Sequence, residues 1–311
     1  MTELKDDIKH SSPFHAGEQA LQTRMGVREQ MERFGRRVIR DHLPDQHRQF
    51  YQQLPYVFIG HGDENGWPWA SMLFNPPGFI SSPDDKTLEV HARVVKGDPL
   101  QQAMKTGVRL GLLGIELNTR RRNRLAAHIS TIGGQGFTLA VDQSFGNCPR
   151  YIRPRELADF AGDDLPPVSV TGLTGFDDGA KAMIANSDTF FVASFIDNNG
   201  GEASEGADVS HRGGEPGFVR IDNDRTLTIP DYAGNFHFNT LGNFVKNPKA
   251  GLLFIDFEQG HLLTLTGRVE ILFDSPDIKA FNGAERLWTF RLHQGYWLKN
   301  ALGLRWRLLH R

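Results

Sequence analysis

Short apolar runs separated by turn clusters dominate this chain, and most are strand-length rather than helix-length. The run over residues 56–60 leads into Asp63-Glu64-Asn65-Gly66, where Asn-Gly signals a hairpin. Further strands are predicted over residues 69–74, 88–94, 110–115, 125–132 and 136–141. A stretch rich in Pro, Asp and Gly spans residues 161–179 and reads as a domain boundary. The same grammar then resumes, with strands over 190–196, 218–221, 226–229, 252–257 and 262–272 and a turn at Asp197-Asn198-Asn199-Gly200. The N-terminal region differs. Residues 1–20 read as a loose arm, and over 22–43 Val27, Met31, Phe34 and Val38 recur at helical spacing, which predicts one amphipathic helix ended by Pro44.

The two strand-rich halves repeat each other. Pro77-Gly78-Phe79 matches Pro216-Gly217-Phe218 and Thr87-Leu88 matches Thr226-Leu227, both offset by 139 positions, while Gly111-Leu112-Leu113 matches Gly251-Leu252-Leu253 at an offset of 140. Agreement within one position predicts a duplicated domain. Two copies are too few for a solenoid, so a pair related by a pseudo-twofold axis is expected. Three parts follow: residues 1–48 as arm and helix, 49–165 as the first copy and 166–311 as the second.

Composition adds exclusions. Of 311 residues, 39% are hydrophobic and 23% charged, as in ordinary globular proteins, and 33 Gly with 22 Phe suit a turn-rich, β-rich chain. A formal net charge of -2 supplies no broad field for nucleic acid or an anionic membrane. The single cysteine, Cys148, excludes an internal disulfide and suits a reducing compartment. The polar N-terminus has no signal-peptide core and no apolar run approaches a membrane span, so a cytoplasmic protein is expected. The His residues show no metal spacing, Gly133-Gly134-Gln135-Gly136 lacks the third glycine of a dinucleotide fingerprint, and there is no Walker loop.

Two stretches carry candidate chemistry. In Asp208-Val209-Ser210-His211-Arg212-Gly213-Gly214, a hydroxyl, an imidazole and a guanidinium precede two glycines that let backbone approach a ligand, a set suited to phosphate and equally readable as a polar hairpin. Asp208, Ser210 and His211 cannot form a triad, because neighbours on a strand alternate faces. The second stretch contains Pro230, Asp231, Tyr232, Asn235, Asn239, Thr240 and Asn243. Its amides, hydroxyls and interleaved aromatics suit a planar ligand with a polar tail, although capping and turn formation account for one or two of them. Four arginines among Arg120, Arg121, Arg122 and Arg124 read either as a solvated hairpin tip or as a charge reaching the other copy across the pseudo-twofold interface. Trp288, Trp297 and Trp306 read as core or interface packing residues, with a ring-facing role as the alternative.

From Asp208 through Pro230-Asp231-Tyr232, Asn239-Thr240-Leu241-Gly242-Asn243, Asn247-Pro248 and residues 251–257 to Thr266-Gly267-Arg268-Val269-Glu270, the chain resembles the FMN-binding half of the pyridoxamine 5'-phosphate oxidase-related family. Pro13-Phe14-His15-Ala16-Gly17-Glu18, residues 38–47, Pro68-Trp69-Ala70-Ser71 and Gly146-Asn147-Cys148-Pro149 are similar to a two-barrel subgroup. The resemblance implies a mainly β fold: two tandem FMN-binding split β-barrels related by a pseudo-twofold, with an N-terminal helical extension. It implies FMN between the barrels, with Ser210, His211 and Arg212 at the phosphate and Pro230, Asp231, Tyr232, Asn235, Asn239, Thr240 and Asn243 as further flavin contacts. Asn239 and Thr240 stand where true pyridoxamine phosphate oxidases carry basic groups, which speaks against that reaction. The first copy reads Ser71-Met72-Leu73-Phe74-Asn75-Pro76 where the second reads Asp208 to Gly213 and lacks the Ser-His-Arg donors, so the main site is expected in the second barrel. The implied function is an FMN-dependent oxidoreductase acting on a small molecule or NAD(P)H. A flavin store or sensor, or a split barrel holding haem or a deazaflavin, are the alternatives. Monomer and homodimer are both open, and no catalytic residue is assigned.

Overall fold

The structure, a computed structural model, describes residues 12–160, 166–196 and 202–309. Three helices open it: α1 (Ala16–Arg24), α2 (Arg28–Val38) and α3 (Asp45–Gln53). Strands β1 (Tyr56–Gly62), β2 (Pro68–Phe74), β3 (Ile80–Ser81), β4 (Thr87–Val90), β5 (Arg109–Ile115), β6 (Arg122–Gly133) and β7 (Gly136–Gly146) form a sheet in the order β2-β1-β5-β6-β7-β4-β3, with α4 (Leu100–Ala103) between β4 and β5. After β8 (Arg155–Phe160), β9 (Ser169–Leu173) and α5 (Asp178–Asn186), a second sheet contains β10 (Thr189–Phe195), β11 (Ala207–Gly213), β12 (Arg220–Asn223), β13 (Thr226–Tyr232), β14 (Lys249–Ile255), β15 (Leu262–Leu272) and β16 (Ala284–Lys299). Its order, β11-β10-β14-β15-β16-β13-β12, repeats that of the first sheet strand for strand, and β9 adds to it alongside β16. Helix α6 (Asn239–Lys246) follows β13 as α4 follows β4, and β17 (Leu304–Leu308) pairs back with β8. The architecture is two tandem split barrels with a helical N-terminal extension.

Strand alternation explains how the barrels fill and join. On β1, Val57 and Ile59 enter the first barrel's core, while Tyr56 and Phe58 enter a separate cluster between the barrels. On β10, Phe190 and Val192 enter the second core, while Phe191 and Ala193 join the shared cluster. Both strands are therefore buried on both faces and read as unbroken apolar runs. Phe58 and Phe191 occupy equivalent positions and stack on each other at 3.5 Å between ring centroids, which marks the pseudo-twofold axis. Burying each ring contributes about 1.5–3 kcal/mol.

Away from the axis the contacts come in matched pairs. A Cβ on Gly111 of β5 would lie 2.6 Å from Ala207 O and Asp208 Cα of β11, and one on Gly251 of β14 would lie 2.6 Å from Pro68 O and Trp69 Cα of β2. Arg109 donates to Glu202 O and Glu205 O in the second barrel, and Lys249 donates to Gly66 O in the first. The repeated glycine is therefore an interface requirement: at both places one backbone crosses another with no room for a side chain.

The N-terminal region departs from the sequence expectation. Instead of one helix over 22–43 there are two, α1 and α2, separated by a turn in which Gly26 takes φ +70°. Helix α2 ends at Val38, and Pro44 precedes α3 rather than closing a helix. Met31 is buried but Phe34 is 39% exposed, so the apolar stripe covers only part of α2. Part of the supposed loose arm is α1 itself, opened by a capping box in which the His15 side chain accepts from Gly17 N–H and Glu18 Oε2 accepts from His15 N–H. The turn at Asp197-Asn198-Asn199-Gly200 lies outside the described residues. Strand β16, 16 residues long, is an addition to the predicted strands. Trp288, Trp297 and Trp306 are all buried. No helix among the described residues is long and apolar enough to cross a membrane.

Candidate functional site

A cleft with about 880 Å³ of empty space up to its open mouth lies along β11, the edge strand of the second sheet. The second barrel supplies Ser210, His211 and Arg212 from β11, Pro230, Asp231 and Tyr232 from the end of β13, Asn235 from the following loop, and Asn239 and Thr240 from the start of α6. Asn243 lies one turn further along α6; it is buried and donates to Ser194 Oγ at 2.8 Å, away from the cleft lining. The first barrel supplies Arg122 and Arg124 from β6, followed by Asn147, Cys148, Arg150 and Tyr151 beyond β7. Of the arginine run, Arg120 sits in the hairpin turn with φ +62° and Arg121 lies over Phe50, while Arg122 and Arg124 line the cleft.

Five arginines and two carboxylates line the cleft, which gives it an excess of positive charge. Arg212 pairs with Asp231 Oδ1 at 2.5 Å, Arg286 reaches Asp231 Oδ2 at 3.3 Å and also pairs with Glu285, and Arg124 pairs with Asp208. Arg122 is different. It is partly buried and donates from Nε to Cys148 O at 2.6 Å, but it has no carboxylate partner among the described residues. Burial, with Arg124 and Arg212 close by, pulls its pKa down to about 10, a sign of an uncompensated cation.

His211 is buried beside Phe191, with neither ring nitrogen meeting a hydrogen-bond partner. Burial, then the charges of Arg122, Arg155 and Arg212, holds its pKa well below the usual imidazole range. It is therefore neutral, with one ring N–H to donate and one nitrogen to accept. The buried Nε of Arg212 is also unpartnered. No side chain caps α6, whose N-cap Phe238 has φ +60°, and the first residues of the helix, Asn239, Thr240 and Leu241, line the cleft with their N-terminal N–H groups uncapped by any side chain. Orphaned donors at three places around one cleft fit a phosphate-bearing ligand.

The loop between β13 and α6 is held under strain. Phe236 and Phe238 both take φ near +60°, a conformation costing non-glycine residues on the order of 1 kcal/mol each. Between them His237 is buried in a cage of Phe14, Phe34 and Phe145. Gln22 of α1 reaches the carbonyls of Phe236 and His237, each at 3.4 Å. The N-terminal helices therefore fix the loop that carries the aromatic wall.

The equivalent place in the first barrel is filled. Ser71, the counterpart of Ser210, is fully buried and donates to Asp98 Oδ1 at 2.6 Å, with His61 Nε2 at 3.4 Å. A carboxylate of the chain itself takes the hydroxyl there.

Buried histidines set the acid stability. Burial lowers His15, His47, His61 and His237 to about 4, and His211 is also lowered. Between pH 6.5 and 4 the unfolded chain takes up protons that the fold refuses, so stability falls with pH. Glu18, raised to about 8, and Asp98, raised to about 6, act in the opposite sense, because the fold holds their protons more tightly than the unfolded chain does. Five groups outweigh two. The thermal midpoint, followed by circular dichroism, is expected to fall steeply from pH 6.5 to 4.5; a flat profile would show that these imidazoles are not held neutral.

Sequence reasoning did not single out Arg150, Tyr151, Glu285 or Arg286 as cleft residues, and it read Phe236 and Phe238 only among the interleaved aromatics of the second stretch. Arg286 had a readable signal, a charge directly beside the apolar pair Leu287-Trp288. Tyr151 stacks on Tyr232 at 5.2 Å across the two barrels and had none.

The family model of pyridoxamine 5'-phosphate oxidase matches residues 176–300. Similar solved structures include HupZ of Group A Streptococcus, 15% identical, covering 38% of this chain and 90% of that one, TM-score 0.30. The heme storage protein HutZ of Vibrio cholerae is 14% identical over 40% of this chain and 94% of its own, TM-score 0.28. An FAD-binding protein of Mesorhizobium loti is 12% identical over 42% and 97%, TM-score 0.29. No curated protein matches the chain.

Proposed function

We propose, from the match of residues 176–300 to the pyridoxamine 5'-phosphate oxidase family model, that the inter-barrel cleft binds FMN and that the protein is an FMN-dependent oxidoreductase acting on a small molecule, with NAD(P)H a candidate reductant. The observation that carries the reading is Arg122, a partly buried guanidinium with no carboxylate partner among the described residues, beside Arg124 and Arg212. Such a cluster is stabilised by a bound dianion. Arg122, the Ser210 hydroxyl, the His211 N–H and the N–H groups at the start of α6 would hold the phosphate. Tyr232, Asn235 and the strained aromatic loop would flank the ring. When bound, FMN supplies the two-electron redox chemistry. The chain's own part is to bind and orient it, to keep positive charge near it, and to exclude water with Phe236, Phe238 and the Tyr151–Tyr232 stack. His211, being neutral, contributes a directed hydrogen bond rather than charge.

An absorbance spectrum before and after anaerobic addition of NADH or NADPH tests this. Flavin bands that bleach are expected. Persistent flavin bands favour a flavin store or sensor or another electron donor. A Soret band would assign the cleft to haem, and no flavin bands after incubation with FMN would overturn the proposal.

A further inference from the structure

Besides the Gln22 contact with the aromatic loop, helix α1 reaches a cleft residue, Asn239, through Glu18. Glu18 is buried, with Oε2 accepting the His15 N–H at 2.9 Å and Oε1 accepting from Asn239 Nδ2. The opposite end of the Asn239 amide, Oδ1, accepts from Arg124 Nη1 at 2.9 Å. A guanidinium can only donate, so the amide oxygen must face Arg124 and the NH₂ must face Glu18. Arg124 also pairs with Asp208, which lies within 3.4 Å of the Thr240 hydroxyl through its other oxygen. The close approach beneath this chain leaves no slack: a Cβ on Gly17 would lie 2.2 Å from Gly242 O, so α1 and α6 cross nearly backbone to backbone.

We infer that Glu18 is a positioning residue of the anion site: by orienting the Asn239 amide it holds Arg124, a residue of the other barrel, on the cleft wall, and so makes anion affinity depend on the docked N-terminal helix. The inference rests on the reading of the cleft as an anion site.

Its charge state supplies a signature that a merely structural role lacks. Burial raises Glu18 to about 8, with the neighbouring Asp208 carboxylate adding to the rise and Arg124 opposing it. The charged groups around it are Asp208 from β11 and Arg124 from β6, with Lys246 of α6 near His15. His15, lowered to about 4, stays neutral throughout and cannot compensate. Below pH 8 Glu18 is therefore protonated and Arg124 faces one carboxylate. Above it, a second carboxylate draws on the same guanidinium, and the cleft's hold on an anion weakens. By reciprocity, an anion bound in the cleft favours the protonated form.

The test titrates FMN into wild type, Glu18→Gln and Glu18→Ala at pH 6.5 and pH 9, with amide hydrogen exchange of residues 235–241 measured on the same proteins without ligand. Glu18→Gln keeps an oxygen for Asn239 and carries no charge. It is expected to match wild type at pH 6.5 and to bind about tenfold more tightly than wild type at pH 9. Glu18→Ala is expected to bind about tenfold more weakly at pH 6.5 and to lose protection over 235–241. In wild type, protection there is expected to fall at pH 9 relative to Glu18→Gln. If Glu18→Ala folds, binds and is protected as wild type, or if Glu18→Gln follows wild type at both pH values, the inference is overturned. If wild type binds no FMN, the flavin reading fails by itself, and the exchange data decide whether Glu18 positions the loop.

Discussion

Replacing Arg122 with methionine is expected to weaken FMN binding about 100-fold while leaving the ligand-free fold within about 1 kcal/mol of wild type. Most binding-site substitutions confuse these two effects. Arg122 separates them because of what its guanidinium touches: one carbonyl, that of Cys148, and no carboxylate among the described residues. Losing the Nε bond costs about 1 kcal/mol. Removing a desolvated cation beside Arg124 and Arg212 returns a similar amount, since both like charges lower its pKa. Methionine keeps the apolar stem, so the β6 wall stays packed. A bound phosphate would lose the one partly buried cleft guanidinium that no carboxylate among the described residues shares: Arg124, Arg212 and Arg286 are already paired with carboxylates, and Arg150 is exposed to solvent. Fluorescence titration with FMN and urea denaturation read the two quantities. Unchanged affinity would move the phosphate away from Arg122 and remove the main support for the functional reading.

The second large effect concerns the paired glycines. Gly111→Ala and Gly251→Ala are each expected to destabilise the fold by about 3 kcal/mol, because the new methyl meets backbone, which cannot rotate aside. Both would stand 2.6 Å from atoms of the other barrel. Their functional consequences are expected to diverge. Gly111 presses on Asp208, the partner of Arg124, so its substitution should shift the cleft wall and weaken FMN binding. Gly251 presses on Pro68 and Trp69, beside the filled place where Ser71 meets Asp98, so its substitution should leave affinity nearly intact under conditions where the protein stays folded. Equal affinity losses in both variants would mean that the barrels respond as one rigid unit and that the cleft is not a local feature of one side.

The duplication was legible because it rests on residues with little freedom to vary. Gly78 and Gly217 both take left-handed φ, +95° and +85°, and the following Phe79 and Phe218 are both buried. Thr87 and Thr226 both begin strands, β4 and β13. The cleft residues on β11 and β13 were legible because polar groups concentrated there where apolar alternation was expected. What the sequence hid depends on direction in space. That Arg122 and Arg124 point across to the other barrel, while Arg120 remains at the turn, follows from where the β5–β6 hairpin tip falls. The break between α1 and α2 rests on one glycine inside an otherwise periodic stretch. Strand β16 was missed because Arg286, Arg291, His293 and Gln294 interrupt its apolar pattern, and Arg286 is buried only because Asp231 and Glu285 pair with it.

The two walls of the cleft belong to one polypeptide, and this changes how occupancy scales with concentration. Where two separate single-barrel chains must meet to build such a site, dilution dismantles it and ligand affinity falls with the assembly. Here β6 and β11 are tied through the chain and through the Arg109 and Lys249 contacts, so each wall experiences the other at a high effective concentration at any protein level. The linkage also frees the halves from symmetry. One barrel could fill its own site with Asp98 and specialise as the wall that carries Arg122 and Arg124, a division of labour closed to a pair of identical chains, in which every substitution appears twice.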